Sequence, residues 1–232
     1  MEENRSHKDL FKTLIQKSSL KLDIYDNTLQ AFKLFKQAIE RLDASYKASL
    51  SELAPQREIT FENKYRGDFE IEVKFGGDIL LFLMHTNIFE FSRDHEVRRT
   101  SYIRQDQNRS YSGVISIYNF LADSFKYNRI NDLGYLIGRV FVNKDNHYFI
   151  EGKRELGFLY NDFGTNEMTE DAARKIVEAA MLYTINFDLL TPPYDEVKLV
   201  TVNDMMNTID AISLRTAKRM GFQFRQDTDN KK

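Results

Sequence analysis

Asp68-Phe69-Glu70-Ile71-Glu72-Val73-Lys74-Phe75 decides the fold class, because its apolar and charged residues alternate without a break. A period of two places Phe69, Ile71, Val73 and Phe75 on one face of a strand. The same period places Asp68, Glu70, Glu72 and Lys74 on the other. Gly76-Gly77-Asp78 follows as a turn, and Ile79 to His85 is then apolar at nearly every position, as a strand covered on both faces requires. His85-Thr86-Asn87 turns the chain again into Ile88-Phe89-Glu90-Phe91. The stretch from Gly67 to Phe91 therefore predicts three antiparallel strands, with an edge strand added between Arg57 and Asn63.

Outward from this sheet the pattern becomes helical. Leu10 to Gln16 gives a short amphipathic helix, and Asn27 with Gln30 has capping-box spacing for the start of a second. In that second helix Leu29, Phe32, Phe35, Ile39, Leu42, Tyr46 and Leu53 recur at steps near three and four, with Ser49 or Leu50 filling the gap before Pro55. Such a stripe needs a partner surface: either the first helix and the sheet, or a second copy of the chain, since the spacing is close to a heptad. Lys33, Lys36, Arg41 and Lys47 form its solvated face.

Downstream, Val114 to Asn128 admits strand or helix, and its length and Ala, Asp and Lys content predict a helix. Leu133 to Asn143, His147 to Glu151 and Leu156 to Tyr160 predict a second three-stranded meander, with turns at Lys144 to Asn146 and Gly152 to Arg154. Thr169, Glu170 and Asp171 open a helix whose face is Ala173, Ile176, Val177, Ala180, Thr184 and Phe187. Thr191-Pro192-Pro193 ends it. A short strand through Val197, Leu199 and Thr201 and a last helix over 203–220, bearing Met205, Ile209, Ile212 and Met220, complete the chain. The expected fold is α+β: a mainly antiparallel sheet of two three-stranded meanders, a long N-terminal helical hairpin and two C-terminal helices packed on the sheet. Residues 8–56 form the helical segment, and residues 57–225 form an α+β domain sharing one core with it.

Composition narrows the function classes. Among 232 residues, 33 basic and 35 acidic side chains give a formal charge of -2, so no global field steers the chain to nucleic acid or an anionic membrane. Cysteine is absent, which removes disulfides, thiolate metal sites and thiol nucleophiles and suits a reducing cytoplasm. No apolar run reaches the roughly 18 residues of a membrane span, so no membrane partner is expected. The four histidines, His7, His85, His95 and His147, are not spaced as metal ligands, and glycine-rich phosphate loops and nucleophile elbows are missing from the sequence.

The segment from Ser92 to Ser112 has no hydrophobic period but carries Arg93, Arg98, Arg99, Arg104 and Arg109, with Tyr102 and Tyr111 among them. Guanidinium forks beside aromatic faces suit phosphate, carboxylate or stacked bases. The sequence thus points to a non-catalytic cytoplasmic binding or interaction protein, a homodimer, holding an anionic small molecule, nucleic acid or partner through residues 93–111, with neither cofactor nor metal. The alternative is a metal-dependent nuclease or phosphodiesterase with Mg²⁺ held at Asp68, Glu70 and Glu72 and a phosphate steadied by Lys74. Alternating charge of this kind is also what any half-solvated strand shows.

Overall fold

The computed structural model describes residues 2–130, 132–152, 156, 162–188, 191, 193–199 and 201–202. It opens with a single helix, α1 (Glu2–Leu53, 52 residues), where the sequence predicts a hairpin of two. Neither proline nor glycine occurs before Pro55, so nothing in the chain breaks the helix. Asn27, which with Gln30 has the spacing of a second helix start, makes other bonds, as does its neighbour Thr28. The Asn27 amide donates to the carbonyls of Asn143 (3.1 Å) and Lys144 (2.9 Å), and the Thr28 hydroxyl donates back to the Ile24 carbonyl at 2.7 Å. At 1.5 Å per residue α1 is about 78 Å long, far more than the sheet it crosses.

Strands β1 (Phe61–Arg66), β2 (Glu70–Phe75), β3 (Asp78–Met84), β4 (Phe89–Glu90), β5 (Tyr111–Leu121), β6 (Tyr135–Asn143) and β7 (Tyr148–Gly152) form one antiparallel sheet in the order β1-β2-β3-β5-β6-β7. Two three-stranded meanders are indeed joined in one sheet, but their membership differs from the expectation. Phe61–Arg66 is the first strand of the first meander, whereas Phe89–Glu90 pairs with β5 beyond the end of β3. The segment expected to be a helix is the central strand β5, followed by the one-turn helix α3 (Ala122–Lys126); α2 (Ser101–Gln105) precedes both. The helical spacing of Val114, Ile117 and Leu121 misleads because β5 is covered on both faces. Ile115 and Ile117 face the main core while Val114 faces a second cluster on the opposite side, so apolar residues fall on both parities. The strand expected at Leu156 to Tyr160 and the helix expected over 203–220 lie outside the described residues, apart from buried Leu156.

Helix α4 (Glu170–Ile185) starts where expected, with the Thr169 hydroxyl accepting from the Ala172 amide at 3.2 Å. Ala173, Ile176, Val177, Ala180 and Thr184 are buried on one face of it. Val197 closes the one-turn helix α5 (Tyr194–Val197), where a strand was expected, and Leu199 beside it is 85% exposed. An isolated short strand has no ladder to complete it.

One face of the sheet carries the main core. Ile71, Val73, Leu80, Phe82, Ile115, Ile117, Val140, Val142, Tyr148 and Ile150 pack there against Ala31, Phe32, Phe35, Ala38 and Ile39 of α1 and the buried face of α4. The helical segment and the sheet therefore share a core, and α1's stripe from Ile24 to Leu42 is occupied within the subunit. Phe35 meets Phe82 with ring centroids 5.7 Å apart. Gly113 lets this helix lie so close to β5, since an added Cβ would collide with the Thr28 side chain. Among the described residues no helix is long and apolar enough to cross a membrane.

Phe35→Ala is expected to lower unfolding free energy by about 3–5 kcal/mol in urea denaturation, because a fully buried ring leaves a cavity. Leu182→Ala, on the solvent side of α4, should change it by less than about 0.5 kcal/mol. Equal effects of the two would contradict this packing.

Candidate functional site

The opposite face of the sheet holds both stretches singled out by sequence. Over β5, β6 and β7 lies a cap made from the arginine-rich segment, which is a run of single turns rather than a loop: a 3-10 turn Glu96–Arg99, α2, and a second 3-10 turn Gln107–Ser110. Each turn begins at a capping side chain. His95 Nδ1 accepts from the Val97 amide, the Thr100 hydroxyl from the Ile103 amide, and Asp106 from the Asn108 amide. Val97 and Ile103 then insert into a second cluster with Phe91, Val114, Phe141 and Phe163. Two apolar residues six apart carry no periodicity, which is why the segment reads as unstructured.

Tyr102 is the hub that fastens the cap to the β6–β7 hairpin. Its hydroxyl donates to Asp145 at 3.1 Å and accepts from the Asn143 amide at 2.9 Å. Its ring stacks on His147 with centroids 5.3 Å apart and lies 4.3 Å from the Arg109 guanidinium carbon. Arg109 also donates to Asp145 at 2.7 Å and to the Tyr102 carbonyl at 3.0 Å. Lys144 bridges Asp106 (3.0 Å) and Asp145 (2.8 Å). Burial opposes ionisation of Asp145, but hydrogen bonds from Lys144 and Arg109 outweigh it and hold its carboxyl below the ordinary aspartate value. Burial, helped by Asp145, pushes the Tyr102 phenol up. Arg98 is likewise committed, donating to Glu90 at 2.9 Å and to the Phe91 carbonyl at 2.7 Å, and Tyr111 accepts from Lys17 of α1 at 3.0 Å.

Arg93, Arg99 and Arg104 differ from these. All three are exposed, and among the described residues none of their side chains makes a hydrogen bond or ion pair. The predicted set therefore divides: Arg98, Tyr102, Arg109 and Tyr111 build the platform, and Arg93, Arg99 and Arg104 stand on it. Between the cap and the sheet runs a cleft of about 390 Å³, bordered by His85, His95, Tyr118, Arg139 and Glu151. Arg139 and Glu151, opposite each other on β6 and β7, bond to each other on its sheet side.

The acidic strand face has a different setting. Register places Lys64 opposite Glu72, Arg66 opposite Glu70 and Glu62 opposite Lys74. Glu72 is only 4% exposed and is held by Arg66 at 2.8 Å with Lys64 at 3.8 Å; Lys74 lies 3.7 Å from Glu62. Asp68 sits in the exposed turn before β2. The four residues named for metal chemistry are thus brought to one edge of the sheet but are set among cations, and among the described residues no three potential ligands converge on a metal position. Lys64 and Arg66 escaped the sequence reading, although their spacing of two in Asn63-Lys64-Tyr65-Arg66 is the signal that puts both on one strand face. Comparison of the chain with protein-family models, curated proteins and solved structures gives no match.

Asp145→Ala should destabilise the protein by about 1–3 kcal/mol at pH 7, since it leaves Arg109 and Tyr102 without their shared acceptor. The folded-state pKa is depressed, so this stabilisation is present above the unfolded value of about 3.9 and is lost as pH falls through the folded one. Thermal midpoints of parent and variant should therefore converge below about pH 4. A gap that persists undiminished into strong acid would contradict the assignment.

Proposed function

We propose that this protein is a non-catalytic cytoplasmic binding protein that holds an anionic ligand or partner on the cap through Arg93, Arg99 and Arg104. The observation that carries the reading is the division of labour just described. Arg98 and Arg109 are fixed by carboxylates and carbonyls, whereas three guanidiniums on the same short segment have no hydrogen-bond acceptor among the described residues. A rigid support matters because an ion pair formed by a mobile side chain is offset by the entropy of ordering it. Asn143, Lys144 and Asp145 supply that support from the hairpin beneath, and Tyr102 of the cap bonds to Asn143 and Asp145.

Homodimerisation belongs to the same proposal. Leu10, Phe11, Leu14, Ile15 and Leu22 stand 55–65% exposed on the part of α1 preceding its buried turns. Phe11, Ile15, Ser18 and Leu22 follow steps of four, three and four, which continue in register through Tyr25, Leu29 and Phe32. A second copy packed along this stripe extends a seam the subunit already uses.

The test combines binding and mass. A labelled single-stranded oligonucleotide and a labelled polyglutamate peptide serve as phosphate and carboxylate probes, and parent protein should bind at least one of them in a salt-dependent manner. Replacing Arg93, Arg99 and Arg104 together by alanine should leave the thermal midpoint unchanged, weaken binding about tenfold or more, and reduce the salt slope by about one per arginine. Unchanged affinity of that variant would sink the cap as the binding surface. In sedimentation, parent should run as a dimer and the Phe11→Asp, Ile15→Asp variant as a folded monomer; a monomeric parent would remove the seam.

A further inference from the structure

The outer face of the sheet has a second concavity, separate from the cap and at the opposite edge, that the cap-binding reading does not use. It is a hollow of about 780 Å³ between β1, β2 and the start of β3 on one side and α3 on the other. Five cations line it, Lys64, Arg66, Lys74, Lys126 and Arg129, against two carboxylates, Glu72 and Asp123. Lys74 is paired with Glu62 and Arg129 with Asp132, so Lys64, Arg66 and Lys126 are the cations that present the site's charge.

The arrangement is built rather than incidental. Glu72 is buried and acts as an internal counter-ion that orients Arg66 and Lys64, whose own side chains remain 58% and 60% exposed. The remaining donors of both therefore stay available to a ligand while their stems are fixed. Lys126 is exposed on α3, its amine over the Tyr127 ring at 5.0 Å from the centroid. Ile79 and Leu121 form an apolar floor. At the rim, Phe125 is 43% exposed, and the edge-to-face contact with Phe120, centroids 5.4 Å apart, holds the ring in place. Fixed cations beside an exposed aromatic face are the equipment for phosphate groups joined to a planar base.

We infer that this hollow binds a phosphorylated small ligand carrying an aromatic ring, with nucleotides as the chemical class. Lys64, Arg66 and Lys126 contact the phosphates and Phe125 stacks on the ring. A small ligand fits better than a nucleic-acid strand for two reasons. The volume falls within the few hundred to about 1,000 Å³ of small-molecule sites. Exposed Asp123 in its lining, and exposed Glu62 beside Lys74, would repel the backbone of a longer polyanion running past it.

Calorimetric titration of the full chain with ATP and, separately, with inorganic pyrophosphate tests this. ATP should bind saturably at one site per chain and more tightly than pyrophosphate. The Lys64→Ala, Lys126→Ala double variant, altered only at exposed side chains, should weaken both about tenfold or more. Phe125→Ala should weaken ATP about tenfold while leaving pyrophosphate unchanged. The Arg93, Arg99, Arg104 triple variant should bind ATP like parent, which separates this site from the cap. Absence of saturable ATP binding, or ATP affinity that survives in the double lysine variant, would overturn the inference. Equal weakening of ATP and pyrophosphate by Phe125→Ala would remove the stacked ring from it.

Discussion

Burial of one stretch of α1, from Ile24 to Ile39, against a single face of the sheet is the constraint on which the rest of this molecule depends. Ile24, Ala31, Phe35 and Ile39 are fully buried there, and α4 completes the cover. At about 25 cal/mol per Å² of apolar surface removed from water, a contact of this extent is the main favourable contribution to folding. It also decides polarity. Once both long helices lie on the inner face, the outer face receives no long helix among the described residues and must be finished by short segments and charged side chains.

Those outer elements follow from the same physics applied to smaller pieces. Toward β5–β7 the strands still present apolar side chains, Val114, Phe141 and Phe149, and the chain covers them with single helical turns pinned by side-chain caps and by Tyr102. Toward β1–β2 the strands present charge, and the register pairs each acid with a base. A buried Glu72 tolerates its position because Arg66 and Lys64 neutralise it, which leaves those cations fixed at the lip of a hollow. The cap and the hollow are thus two outcomes of one rule: an outer sheet face left without a helix is closed by apolar turns where it is apolar and by ion pairs where it is polar.

The alternation from Phe69 to Phe75, the fully apolar β3 and the capped start of α4 were legible because local pattern and tertiary environment agree at each. Two readings failed where they diverge. Asn27 and Gln30 have the spacing of a helix start, but the Asn27 side chain bonds to the β6–β7 turn and the neighbouring Thr28 to the preceding helical turn. β5 reads as helix because two cores, on opposite faces, erase its alternation. The arginine-rich segment was found as the candidate site from composition alone, yet composition does not distinguish Arg98 and Arg109, which hold the structure together, from Arg93, Arg99 and Arg104, which do not. Lys64 and Arg66 were missed because their significance lies in what they face across a ladder, and a register is not written in either strand separately.

The central claim is that the outer face of the sheet is the ligand-binding face. Backbone amide shifts measured by NMR during addition of ATP or an anionic peptide test it most directly, since each residue reports for itself. Perturbations gathered at Lys64 to Lys74, Leu121 to Arg129 or Arg93 to Arg104, with the buried turns of α1 and α4 unmoved, are the predicted result. Perturbations confined to the helical side, or to residues 8–22 of α1, would contradict it.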